Sequence, residues 1–95
     1  MNDRELQEQL KRLRRRVEQL HTEFAHQHLD QKLLVEIDTF MENGISADKR
    51  ATGLRSLVDG LRENVLVTGH ANYAEAIRQC VRMKKMIDGL ISDLN

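Results

Sequence analysis

The sequence predicts an all-α fold, a long N-terminal helix followed by an antiparallel helical hairpin, and three observations carry that prediction. The 95 residues contain no Pro and no Trp, and aromatic residues make up only 3%. Sheets and barrels draw on aromatic and β-branched residues and on Pro/Gly turns, which are scarce here. Apolar residues recur at helical spacing through most of the chain, and Gly44 and Gly69 divide it into three such segments. With 40% apolar and 32% charged residues, this is the composition of one small, foldable, water-soluble domain rather than a disordered tail.

The first segment places Leu6, Leu10, Leu13, Val17, Leu20 and Phe24 at alternating steps of four and three, a heptad seam of nearly three repeats. The next seam positions, Gln27 and Gln31, are polar, so the regular seam stops near residue 24. A second stripe follows at Leu29, Leu33, Ile37 and Phe40/Met41, with Leu34 beside it. Residues 3–42 therefore read as one long helix, or as two with a kink around His26–Leu29. Asn43-Gly44 ends it, because Gly accepts the left-handed conformation that closes a helix. A continuous helix of that length would reach about 60 Å, more than a chain of this size covers alone. The expected organisation is an N-terminal helical arm over residues 1–43 and a hairpin over 44–95. The six seam residues are expected to join copies of the chain or to hold a partner helix, since an apolar stripe left open to water favours association.

The second segment runs from Ser46, a plausible N-cap, to about Val67, with a stripe at Ala47, Ala51, Leu54, Leu57/Val58, Leu61 and Val65. Gly53 and Gly60 lie seven apart on one side of it, which suits close approach of another helix or a local break. Thr68 to Ala71 reads as the connection. The third segment, about residues 72–94, opens with the capping-box variant Asn72-x-x-Glu75 and carries a stripe at Tyr73, Ile77, Cys80, Lys84, Ile87, Ile91 and Leu94. A short connection between two amphipathic helices favours an antiparallel pair.

Charge adds a second layer. Net charge is zero, yet residues 1–16 carry six cations and three acids, residues 17–43 one cation and six acids, and residues 44–95 eight cations and six acids. Alternating blocks of this kind complement copies of the same chain. The densest cluster is Lys11, Arg12, Arg14, Arg15 and Arg16 around Leu13. Five cations in six residues suit phosphate contact, and Arg offers a planar fork for it. The same five fill the solvated positions of the heptad, which is the favoured reading. Lys84, set within an apolar stripe, suits contact with something acidic, such as residues 17–43 of another copy.

Catalytic chemistry finds little footing. Cys80 lies on an apolar stripe with no base spaced to activate it, and no catalytic residue is assigned. His21, His26, His28 and His70 lack the i, i+4 spacing of a helical metal site, so no metal and no cofactor are expected. Met83 and Met86 beside Lys84-Lys85 suit hairpin packing better than an adaptable partner groove. A single cysteine allows no internal disulfide, the opening MNDRELQEQ lacks the apolar run of a signal peptide, and no stretch approaches a membrane span. The expected location is cytoplasmic.

The third segment, Tyr73-Ala-Glu-Ala-Ile77-Arg-Gln-Cys80-Val-Arg-Met-Lys-Lys-Met-Ile87-Asp-Gly-Leu90-Ile-Ser-Asp-Leu94, resembles the C-terminal helix of short all-helical proteins of tailed bacteriophages that sit among head and DNA-packaging functions. Those helices often begin with an aromatic residue and end in an acidic, leucine-containing turn. The resemblance covers about a quarter of the chain and departs at Arg82 and Met83, where many such helices carry small residues. It implies a virion or packaging component working in several copies, located in the virion, with no catalytic residues to transfer. The expected function is thus a non-enzymatic, homo-oligomeric assembly or adaptor protein, alone or within a larger protein assembly. The alternative is a dimeric nucleic-acid-binding regulator or packaging factor using the basic cluster.

Overall fold

Asn2 starts the first helix: its Oδ1 accepts from the backbone N–H of Glu5 at 2.8 Å, and its Nδ2 donates to the Glu5 carboxylate at 3.2 Å. In this computed structural model, which describes residues 2–63 and 73–94, helix α1 runs over Asp3–Ala25. It ends at a left-handed residue, Gln27, with φ 56°. The N–H of Gln27 donates to the Phe24 carbonyl and that of His28 to the Glu23 carbonyl, each at 2.9 Å, which closes the helix with a Schellman turn. Asp30 then caps helix α2, Gln31–Phe40, accepting from the N–H of Lys32 at 3.0 Å. Residues 3–42 are therefore two helices, broken near the expected kink, and no 60 Å arm exists.

Helix α2 runs into a wide π-type turn, Met41–Ile45, in which Gly44 adopts φ 119°, the left-handed stop that the sequence signals. Ser46 does not open the next helix. Asp48 does, because its carboxylate accepts from the Arg50 N–H at 2.9 Å and also grips the Arg50 guanidinium at 2.9 and 3.0 Å. A 3₁₀ turn, Lys49–Ala51, leads into α3, Thr52–Arg62, and the last helix, α4, spans Tyr73–Leu94. The expected end of the second segment at Val67, the connection Thr68 to Ala71 and the Asn72 cap lie outside the described residues.

The direction of each helix follows from its cross-links. Arg14 meets Asp88 and Glu18 meets Lys84, so partner numbers fall on α4 as they rise on α1 and the two run antiparallel. A Cβ placed on Gly53 would lie 3.0 Å from Met86 Cε, and one on Gly60 would lie 3.8 Å from Gln79 Nε2, which gives α3 and α4 the same antiparallel register. Arg16 meets Glu36 and Arg62 meets Asp38, tying α2 back along α1 and onto α3. Among the described residues the result is an up-down-up-down bundle of four α-helices, with extents of 39 × 19 × 19 Å.

One core runs through it. Leu6, Leu10, Leu13, Val17, Leu20 and Phe24 from α1 share a cluster with Ala76, Cys80, Met83 and Ile87 from α4, with α2, α3 and the turns closing the sides. No polar or charged residue is buried among the described residues. The dominant helix pair is α1 with α4, rather than α3 with α4. The N-terminal segment is thus half of the core and not an appendage to a hairpin.

Candidate functional site

The heptad seam is the first candidate, and the structure accounts for it internally. All six seam residues are between 0 and 2% exposed. They lie under Ala76, Cys80, Met83 and Ile87, whose steps of four, three and four match the seam in the opposite direction. The expectation that Leu6, Leu10, Leu13, Val17, Leu20 and Phe24 join copies or hold a partner helix is corrected, because α4 of the same chain occupies the seam.

The basic cluster divides. Arg14 turns toward α4, where its Nε donates to Asp88 Oδ1 at 2.7 Å and its Nη2 to Oδ2 at 3.3 Å. The hydrogen bond to Asp88 raises the guanidinium pKa, against the opposing cost of burial, with the charge of Asp88 and then Glu18 adding to the rise. Arg16 turns the other way, with Nε 2.6 Å from Glu36 Oε2 on α2. These two are straps between helices. Lys11, Arg12 and Arg15 point to solvent and form no ion pair among the described residues. The signal that separates them lies in the heptad: Arg14 and Arg16 fall at the positions flanking the seam, while Lys11, Arg12 and Arg15 fall on its far side.

Between α1 and α4 sits a polar strip. Lys84, its side chain 15% exposed, donates to Glu18 Oε2 at 2.9 Å and to His21 Nδ1 at 2.8 Å. The hydrogen bond from Lys84, followed by its charge, lowers the Glu18 pKa. Lys84 does meet an acid of residues 17–43, Glu18 of its own chain. His26 Nδ1 lies 2.8 Å from the Thr22 carbonyl and His28 Nδ1 lies 2.6 Å from Glu23 Oε2, so the histidines face separate local partners. His70 lies outside the described residues. Among the described residues no three His, Cys, Asp or Glu side chains converge as a metal site would need.

Cys80 is fully buried, and burial pushes its thiol up to about 12, with Lys84 opposing the shift. That is the environment of a packing cysteine, since reactive thiols are held below their ordinary value. Met83 is likewise fully buried and Met86 half-buried against Gly53. The methionines pack the bundle, as the spacing suggests.

One surface feature has no counterpart in the sequence reading. Val35 on α2 is 63% exposed, the one large apolar side chain left open among the described residues. It lies in a shallow depression of about 380 Å³ with Thr39, half-buried Phe40 and Asn43, and the Arg16–Glu36 pair lines one side. Val35 lies off the α2 stripe, and an apolar residue on the wrong side of an amphipathic helix is the signal that would have found it. In comparisons with known proteins, the chain matches no protein-family model, no curated protein and no solved structure.

Proposed function

We propose that the protein is a non-enzymatic assembly component that works in several copies, as a rigid bundle that associates through the outer face of α2. Its most specific form is a structural or packaging component of a tailed bacteriophage, the role implied by the resemblance of Tyr73 to Leu94. The observation that carries the reading is Val35: a bundle that satisfies its seam internally keeps this one large apolar side chain exposed among the described residues, flanked by Phe40 and Thr39 and bordered by an ion pair. An apolar centre inside a polar rim is the usual anatomy of a protein interface. Covering the rest of Val35 is worth about 1–2 kcal/mol, so Phe40 and the flanking polar contacts must supply the remainder.

Size-exclusion chromatography with light scattering across a hundredfold range of concentration tests this. The wild type is expected at a multiple of 11.0 kDa, and Val35→Lys at the monomer mass with unchanged helical circular dichroism. A wild type that stays monomeric throughout, or an oligomer indifferent to Val35→Lys, refutes the reading.

A further inference from the structure

We infer that the outer face of α1 is a docking ridge for the phosphate backbone of a nucleic-acid duplex, contacted by Arg4, Lys11, Arg12 and Arg15. This goes beyond association through α2 and does not depend on it. All four side chains are exposed, and none forms an ion pair among the described residues. The seam residues hold α1 straight on the core, so the four cations occupy a fixed ridge, about 16 Å from Arg4 to Arg15 at 1.5 Å per residue. Glu8 is the acid within the ridge, while Glu5 is engaged by the Asn2 side chain.

The fold leaves these cations uncompensated by spending nearby acids elsewhere. Glu36 is held by Arg16, Asp88 by Arg14, Glu18 by Lys84, and Asp3 by Arg50. Two cations that look like phosphate ligands in the sequence, Arg14 and Arg16, are thereby removed from the ridge, and Arg4 joins it. Three of the four are arginines, whose planar fork suits phosphate oxygens.

The surroundings select the ligand. Protein interfaces centre on apolar or aromatic anchors and helices lying on a membrane present an apolar face, whereas the one exposed large apolar side chain among the described residues is Val35 on α2. Single strands are held by aromatic platforms, yet Phe24 is buried and Phe40 and Tyr73 are at most half-exposed on other helices. Contacts to a duplex backbone need neither, only cations on a rigid element.

The test is fluorescence anisotropy of a labelled 20-base-pair DNA of arbitrary sequence from 50 to 200 mM salt. Four phosphate contacts give a slope of about −3.6 in log affinity against log salt, an affinity loss of about 150-fold over that range. Combining Lys11→Gln, Arg12→Gln and Arg15→Gln is expected to flatten the slope to about −0.9, with helical circular dichroism retained because the three side chains are solvated. Arg14→Gln with Arg16→Gln, and separately Arg82→Gln with Lys85→Gln on α4, are expected to leave the slope unchanged. Absence of duplex binding at 50 mM salt overturns the inference. So does a slope indifferent to the triple change, or equal or tighter binding to the single strand, to poly-glutamate or to phosphatidylserine vesicles.

Discussion

Leu13→Ala probes the reassignment of the heptad seam most directly. Leu13 is 0% exposed near the middle of α1, inside the cluster shared with α4. Truncating a buried leucine removes the transfer free energy of the lost methyl and methylene groups and leaves a cavity, at a combined cost of roughly 2–5 kcal/mol. The tight packing here places the expected loss at about 3 kcal/mol, against a total stability of about 5–15 kcal/mol for a small domain. At 4–8 °C per kcal/mol for a domain of this size, the melting temperature should fall by about 12–24 °C. The assay is urea unfolding followed by circular dichroism at 222 nm, in a Val35→Lys background so that association through α2 plays no part. Two protein concentrations tenfold apart complete it. A seam closed by α4 gives a large drop in midpoint for Leu13→Ala and midpoints independent of concentration. A seam closed by a second chain gives a midpoint that rises with concentration. A concentration-dependent midpoint, or a Leu13→Ala loss below about 1 kcal/mol, refutes the packing argument.

Two further expectations follow from individual side chains. Asp48 is held at about 2 by hydrogen bonds from the Arg50 side chain and backbone; a carboxyl depressed in the folded state adds stability above its unfolded value and loses it as pH falls. The stability gap between wild type and Asp48→Asn should be constant above about pH 5 and shrink toward nothing near pH 2, and urea midpoints that show a constant or widening gap contradict this. Cys80, buried and shifted up to about 12, should not react with a thiol-specific chromogenic disulfide at pH 8 in the folded protein and should react in step with urea unfolding; rapid reaction without urea would show the thiol to be accessible.

Helical spacing made most of the fold legible and left its pairing hidden. The seam from Leu6 to Phe24 was readable because burial on one face imposes a period, but a period fixes only the width of the stripe. What covers it depends on whether a second stripe of matching width can swing into place, and the stripe centred on Cys80 and Met83 does so. The stop at Gly44 was legible because glycine removes the steric penalty of φ 119°. The break at Gln27 carried no such residue: it rests on two backbone hydrogen bonds and on the Asp30 cap beyond it. The seven-residue spacing of Gly53 and Gly60 marks a side of α3 turned toward α4, but what lies against it is the ends of the Met86 and Gln79 side chains rather than the backbone of α4. Within the basic cluster, Arg14 and Arg16 are straps and Lys11, Arg12 and Arg15 are not, because only the first two flank the seam; the register shows that much, while their partners, Asp88 and Glu36, are fixed by how the helices dock.

The pairing of α1 with α4 also has a consequence for biosynthesis. Translation at roughly 5–20 residues per second separates the emergence of Phe24 from that of Ala76 by about 3–10 seconds. Throughout that interval the growing chain displays six apolar residues in a self-complementary repeat, and neighbouring ribosomes on one message display the same repeat. Nascent chains are therefore offered a transient pairing with each other before their own covering helix exists. Release of α4 ends the competition, because a tethered segment reaches the stripe at an effective concentration that a separate chain cannot match.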